Sequence, residues 1–323
     1  MARVLDATGL PAGVAGTVVT VGTFDGVHRG HVALLDTLVR RAHESGLRSV
    51  LVTFDPHPLE VVNPAAAPPL LTVAPERLEV LAGTAVDFVA VLPFTHELQR
   101  LAADEFVDRV LLERFQMREL WMGHDHHFGR NRSGNVALLR ALGAARGFRV
   151  EVLPPVTASE GAISSTAIRR AIAGGDLAHA AEGLGRPYAI SGRVVPGAGR
   201  GRAMGFRTIN VALPSPRKLL PPEGVYVVHV ETPLGPYGGM MNLGPRPTFG
   251  ESAVHVEAHL FDADGDFYDL PVRVDVLGWL RETQKFSGPA ALVAQLKEDE
   301  KAARAALTRQ WRAATLQGYP KGS

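Results

Sequence analysis

The sequence predicts an α/β domain followed by an antiparallel β domain that ends in a helix. Up to about Pro155, short β-rich runs alternate with runs of helical spacing, the pattern of βαβ crossovers feeding a parallel sheet. Across 185–206 the texture changes to glycine and proline: Gly185, Gly192, Gly197, Gly199, Gly201 and Gly205, with Pro187 and Pro196. Beyond it lie short β-rich runs separated by turn residues, which suit a barrel or a sandwich. A length of 323 residues fits two domains at about 100–200 residues each. The boundary is expected near Gly185, giving domains of 1–184 and 185–323.

Val18–Thr23 is rich in β-formers and predicts the first strand. Gly30–His43 carries Val32, Leu34, Leu35, Leu38 and Val39 at helical spacing. Ser49–Phe54 reads as a second strand. Pro75–Ala82 predicts a helix, with proline near its start and Gly83 past its end. Phe88–Leu92 is a strand, and Asp104–Phe115 a helix through Phe106, Val107, Val110, Leu111 and Leu112. A short strand at Leu120–Met122 precedes a helix at Val136–Arg146, closed by Gly147, and a strand at Arg149–Leu153. Ser165–Ala173 and Leu177–Leu184 predict two further helices. In the second domain, strands are expected at Gly224–Glu231, Tyr237–Leu243, Ala253–Phe261 and Leu270–Val276, and one charged helix at Gly288–Leu307.

Lys plus Arg number 34 and Asp plus Glu 33, a net charge of +1. That balance argues against a protein that coats nucleic acid or an anionic membrane. The absence of cysteine excludes disulfides, thiolate metal sites and cysteine nucleophiles. No apolar run approaches the ~20 residues of a membrane span, and the first residues carry no signal-peptide core. The expectation is a cytoplasmic protein that acts on small molecules, with no nucleic-acid or membrane partner and no requirement for an oligomer.

The run from Val21 to His31, VGTFDGVHRGH, leaves the first strand and enters the first helix. A doubly wound sheet binds nucleotides at that place. Gly22 and Gly26 permit tight turns, and helix N-terminal amides attract phosphate. His28 and His31 are three apart and share one face of the opening turn, with Gly30 between them. Two ordinary polar loop histidines are the plainer alternative. A second element, Ile163–Arg169 (ISSTAIR), precedes a helix: hydroxyls of Ser164, Ser165 and Thr166 suit a cap or a phosphate, and Arg169 lies one turn on.

In the second domain a basic glycine-rich loop, 197–206, runs into Thr208 and Asn210. It is no Walker A loop, since Gly-Lys-Ser/Thr is missing. Thr208 and Asn210 share a face if extended, and a hydroxyl with an amide can hold Mg²⁺ and phosphate oxygens. Residues of this kind also suit a solvated turn. Further on, His255, Glu257 and His259 alternate with Val254, Val256 and Ala258. Glu257 is either a general base or part of the polar side of an edge strand.

Four motifs occur in order: Thr23–His28 (TFDGVH), Thr53–Pro58 (TFDPHP), Gly123–Gly129 (GHDHHFG) and Ile163–Arg169. Placed so, they resemble those of the prokaryotic bifunctional riboflavin kinase/FAD synthetases, over Val18 to about Leu307. The resemblance implies a Rossmann-like nucleotidylyltransferase domain followed by an antiparallel barrel kinase domain with a C-terminal helix. It implies ATP, riboflavin, FMN and FAD as substrates or products, with Mg²⁺. His28 and His31 would stabilise the transition state of adenylyl transfer. Gly22, Phe24, Asp25, Gly30, Ser164, Ser165, Thr166 and Arg169 would lie at the ATP. Phe54, Pro56, His57, Pro58, Asp125 and Phe128 would lie near the flavin or its phosphate.

In the barrel, Gly201, Arg202, Thr208 and Asn210 match the family's phosphate and magnesium motif, with Thr208 and Asn210 at the metal. Glu257 matches the base that takes the proton of the riboflavin 5′-hydroxyl. Arg281, in Leu280–Phe286 (LRETQKF), matches a segment beside the flavin. Two positions depart from the family pattern. His126 stands where an aromatic is usual, and Arg207 stands where the family has proline, which costs the loop a fixed φ angle. An FMN adenylyltransferase with an inactive flavin-binding barrel, or a flavin binder without turnover, would share parts of this pattern. Among His124, His126 and His127 only His124 and His126 could share a face of an extended segment, so no dedicated transition-metal site is expected there.

Overall fold

A computed structural model describes residues 2–5, 9–123, 135–154, 157–158, 161–197, 205–245 and 254–316, with side chains of the last helix to 309. The chain divides into two compact units, Met1–Ala167 and Ile168–Ser323.

The first unit opens with β1 (Arg3–Leu5), β2 (Thr17–Val21), α1 (Arg29–Glu44) and β3 (Arg48–Asp55). There follow α2 (Pro58–Val62), α3 (Ala74–Ala82), β4 (Phe88–Pro93), α4 (His96–Arg100) and α5 (Ala103–Phe106). Then come β5 (Met117–Gly123), α6 (Val136–Arg146), β6 (Arg149–Leu153) and the two-residue strands β7 (Thr157–Ala158) and β8 (Gly161–Ala162). Six strands form one parallel sheet in the order β1-β4-β3-β2-β5-β6. β2 lies between β3 and β5, where the strand order reverses, so its carboxyl end opens at the switch point of the sheet. Val18, Val19 and Val21 are buried because both faces are covered. One face packs on Phe106, Leu111 and Phe115, the other on Leu35, Leu38 and Leu81.

The helix expected at Asp104–Phe115 is α5 continued by wider π-type turns over Val107–Arg114. At about 3.6 residues per turn, Phe106 and Phe115 would fall on opposite sides. The wider winding lets both reach the sheet core. β1 escaped the sequence pattern because three residues carry no readable period.

α7 (Ser165–Ala173) and α8 (Leu177–Leu184) lead to the strands of the second unit. These are β9 (Tyr188–Val195), β10 (Thr208–Ala212), β11 (Gly224–Thr232), β12 (Gly235–Pro245), β13 (Val254–Leu260) and β14 (Pro271–Arg281). They close into an antiparallel barrel in the order β10-β13-β12-β11-β14-β9, with β9 and β10 paired. α8 packs on β9 and β14. The barrel inside is filled by Ile190, Tyr226, Val228, Val230, Ala258 and Val274, among others. α9 (Pro289–Leu316) lays Val293, Leu296, Ala303 and Leu307 over Phe206, Val227, Met240 and Phe261 on the outside.

β9 and β10 fall in and after the stretch whose glycines and prolines read as a loop. Gly192 is instead a strand residue: a Cβ there would collide with the Ala212 carbonyl of the adjoining β10. The helix expected to end at Leu307 runs on to Leu316. No helix among the described residues is long and apolar enough to cross a membrane.

The C-terminal end of α1 is tied to β5. Arg41 donates from Nε and Nη2 to the Glu119 carboxylate at 2.9 and 2.6 Å, and Trp121 Nε1 donates at 3.1 Å. The Arg41 hydrogen bond holds Glu119 below the usual carboxylate range against the opposing effect of burial. A depressed carboxyl contributes stability that is present above its unfolded value of about 4.3 and is lost as pH falls through the folded one. Glu119→Gln is expected to lower unfolding free energy by about 1–3 kcal/mol at neutral pH, with the difference from the wild type shrinking in the acid range. Denaturant titrations at pH 7 and at about pH 4 check this.

Candidate active sites

The first site is built on the turn after β2. Gly22 continues the sheet by donating to Val52 O at 3.0 Å. The turn then holds three positive φ angles: Phe24 at 48°, Gly26 at 84° and Val27 at 40°. For Phe and the β-branched Val this is strained backbone, roughly 1–3 kcal/mol each. Surrounding contacts over-determine it. The Asp25 carboxylate is buried and accepts from Leu71 N at 3.0 Å, Thr72 N at 2.8 Å and Thr72 Oγ1 at 3.1 Å. Gly26 N donates to Thr72 Oγ1 at 2.9 Å, Val27 N to Phe24 O at 3.1 Å, and Thr53 Oγ1 to Thr23 O at 3.0 Å.

The result is a fixed presentation of two imidazoles at the start of α1. His28 is the N-cap, and its Nδ1 accepts from His31 N at 3.3 Å, which leaves Nε2 to carry the ring proton. The His28 and His31 rings stack with centroids 3.6 Å apart, and Phe24 lies 4.8 Å from His31. Gly30 leaves room for the His28 ring: a Cβ would come within 3.1 Å of His28 Nδ1. The first turn of α1 carries no acidic side chain, so the helix dipole favours an anion.

The hydroxyls before α7 divide their work. Ser164 Oγ accepts from Ala167 N at 3.2 Å and caps the helix, while Ser165 Oγ donates to Asp25 O at 2.9 Å. Thr166 is exposed, and Arg169 lies half-buried four residues beyond Ser165 along α7.

Phe54, next to last in β3, packs on Phe94 and Phe106. The Asp55–Pro56 peptide is cis, and Asp55 O accepts from Phe94 N at 3.1 Å. Pro56 is exposed. His57 is the N-cap of α2: its Nδ1 accepts from Leu59 N at 3.2 Å, and its N donates to Glu60 Oε1 at 3.1 Å. Pro58 takes the first helical position.

The second site lies on the outer surface of the barrel. Ile209, Val211, Val256 and Ala258 point inward and are buried. Thr208, Asn210, Glu257 and His259 alternate with them and face outward. The register sets Asn210 opposite Glu257, and Glu257 opposite Asn242 of β12. Thr208 Oγ1 donates to Glu257 Oε1 at 2.6 Å. Gly197 leaves room for the Asn210 amide, which a Cβ would strike. The Arg207 carbonyl is held by His259 Nδ1 at 2.6 Å, so the strand entry is pinned where a proline would otherwise fix φ. The half-buried hydroxyl, amide and carboxylate oxygens on this face fit a hard cation such as Mg²⁺.

Arg281, expected beside the flavin, is half-buried at the end of β14. Its guanidinium forks onto Asp299 of α9 at 2.7–3.1 Å and donates to Glu282 O at 2.8 Å. Gln295 supports the same carboxylate at 2.9 Å. The side chain ties the end of β14 to α9. Asp125, Phe128, Gly201 and Arg202 lie outside the described residues, as do His124, His126 and His127. Sequence reading missed Thr72 and Arg77. Thr72 is 47 residues from Asp25, so no local pattern marks it. Asn242 opens a segment, 242–249, that resembles the family's, and the β12–β13 register sets it opposite Glu257.

Comparison with known proteins covers both units. The FAD synthetase family model matches residues 11–167, and the riboflavin kinase family model residues 184–307. The chain is 41% identical over 291 residues to a bifunctional riboflavin kinase/FMN adenylyltransferase of Pseudomonas fluorescens, covering 90% of this chain and 93% of that one. It is 40% identical over 293 residues to the protein of that name from Escherichia coli K12, covering 90% and 92%. A crystal structure from Streptococcus pneumoniae, titled as a macrolide-efflux protein, superposes with a TM-score of 0.80 at 31% identity, covering 93% of this chain and 98% of that one. With a parallel sheet carrying the stacked histidines and a closed barrel carrying the Thr–Asn–Glu face, the chain belongs to the family of bifunctional riboflavin kinase/FMN adenylyltransferases.

Proposed function

We propose that this chain makes FMN and then FAD, using ATP in both steps. The observation that carries the reading is that each constellation occurs within the segment matching the corresponding family. We assign 1–184 to FMN adenylyl transfer and 185–323 to riboflavin phosphorylation. An ATP-dependent synthesis of this kind, with a net charge of +1 and no cysteine, supports a cytoplasmic enzyme of small molecules without nucleic-acid partners.

In the barrel, the riboflavin 5′-hydroxyl oxygen bonds to the γ-phosphorus of ATP as the bond to the β,γ-bridging oxygen breaks. ADP leaves, and Glu257 takes the hydroxyl proton. The Thr208 hydroxyl donates a hydrogen bond to Glu257, which orients the carboxylate and turns the Thr oxygen lone pairs outward. Thr208 and Asn210 would hold Mg²⁺, which supplies neutralisation of the phosphate charge when bound. Asn242, opposite Glu257, flanks the base.

In the parallel-sheet domain, an FMN phosphate oxygen bonds to the α-phosphorus of a second ATP, and the bond to pyrophosphate breaks. His28 and His31 present ring N–H groups, with the α1 amides, to the charge that develops. Thr166 and Arg169 extend the phosphate cradle, and Gly22, Phe24 and Gly30 keep the approach open. The structure favours a holding role for Asp25 and Ser165, whose side chains fasten the turn. Phe54, Pro56, His57 and Pro58 form the flavin side of the site.

Two variants separate the reactions. His31→Ala is expected to lower FAD formation from FMN by about 10²–10³ with riboflavin phosphorylation unchanged. Glu257→Gln is expected to lower FMN formation by about 10²–10⁴ with adenylyl transfer unchanged. Chromatographic separation of flavins over time reads both. Gly197→Ala, by displacing Asn210, is expected to raise the Mg²⁺ concentration needed for riboflavin phosphorylation while FMN adenylylation keeps its wild-type requirement. A magnesium titration of each half-reaction checks it.

A further inference from the structure

A buried cation outside the motifs bears on the flavin side of the first site. Arg77, on α3, is 2% exposed and is the largest side chain among those fully buried. Its Nη2 donates to Phe54 O at 2.8 Å and lies 3.7 Å from Asp55 Oδ1. Its Nε is buried with no hydrogen-bond partner among the described residues. Burial holds the guanidinium below its ordinary value, with Asp55, Asp25 and Glu60 acting the other way. A buried guanidinium with an unsatisfied donor is a poor device for stability. Replacing such a group by an apolar one of similar volume is often neutral or stabilising. At 2% exposure it also cannot reach a ligand from the solvent side. What it does is fix the backbone at the point where β3 gives way to the Phe54–Pro58 segment.

The N-terminal end of its helix is fixed as firmly. Glu76 Oε2 accepts from Val73 N at 3.0 Å, directly after the Leu71 and Thr72 amides that hold Asp25. One short stretch, 71–77, therefore clasps the phosphate turn at its start and the flavin segment at its end.

We propose that Arg77 is a positioning residue for FMN: through the Phe54 carbonyl and Asp55 it sets the segment that meets the flavin, without touching substrate. This rests on the reading of the first site as an FMN adenylyltransferase. The same chain carries the barrel activity, which serves as an internal control for enzyme concentration, while thermal unfolding reports the folding of the first unit.

The test is steady-state kinetics of full-length Arg77→Met and Arg77→Lys, varying FMN and ATP separately, with riboflavin phosphorylation and thermal unfolding measured on the same samples. Arg77→Met is expected to raise the KM for FMN about tenfold (about 1.4 kcal/mol), with the KM for ATP and the barrel activity within twofold of wild type and no fall in Tm. Arg77→Lys, which retains a donor for the Phe54 carbonyl, is expected to recover part of the loss. If Arg77→Met does not fold, Arg77→Lys is read alone, and a raised KM for FMN at unchanged KM for ATP supports the proposal. A wild-type KM for FMN in either folded variant overturns it. So does a parallel rise in the KM for ATP. If the wild-type protein itself makes no FAD from FMN, the functional reading has failed, and that is visible before any variant is made.

Discussion

The first site depends on a buried carboxylate. Asp25 lies in a turn whose flanking residues, Phe24 and Val27, sit at φ values that L side chains avoid. Left alone, such a turn would relax and His28 would lose its cap. Two backbone amides and a hydroxyl from 71–72 fasten the carboxylate, and Ser165 takes the Asp25 carbonyl. Each of these bonds joins parts of the sequence that are distant, so the turn is set only once β2, α3 and the start of α7 have assembled. The strain is compensated by the fold and spent on presentation: two stacked imidazoles beside open helix amides.

The barrel solves a similar problem with register. Antiparallel pairing sets Asn210, Glu257 and Asn242 side by side on the outer face, in that order across β10, β13 and β12. Continuing the row across β11 brings Val225 and then Arg281. The next row, holding Met240 and Val227, lies under α9. The boundary between the polar row and the apolar one is where Arg281 reaches over to Asp299. Arg281 thereby marks the edge of the polar face by tying β14 to α9.

Much of this was legible in the sequence, and the failures have physical causes. α1, α6, α7 and α8 follow from periodicity and from capping residues such as Asn135 and Gly147. The outward set of Thr208, Asn210, Glu257 and His259 follows from two-residue alternation. β9 was hidden because Gly192 looks like punctuation when its lack of a side chain serves strand approach. The Thr72–Asp25 and Arg77–Phe54 contacts were hidden because their partners are 47 and 23 residues apart, with no pattern linking them. Asp25 and Arg281 were placed at the ligands on motif position, and the structure adds the bonds each makes within the chain, to 71–72 and to Asp299. Motif position marks that a residue matters at a site but does not say whether it touches the ligand or holds what does.

The central claim, that the Asp25 carboxylate holds the histidine turn, is tested most directly by amide hydrogen exchange in wild type and Asp25→Asn without ligands. The account predicts that residues 24–31 and 71–73 lose protection together in the variant while β3 and β5 keep theirs, with FMN adenylylation falling and riboflavin phosphorylation unaffected. Unchanged protection across 24–31 and 71–73 would contradict it, whatever happened to the rate.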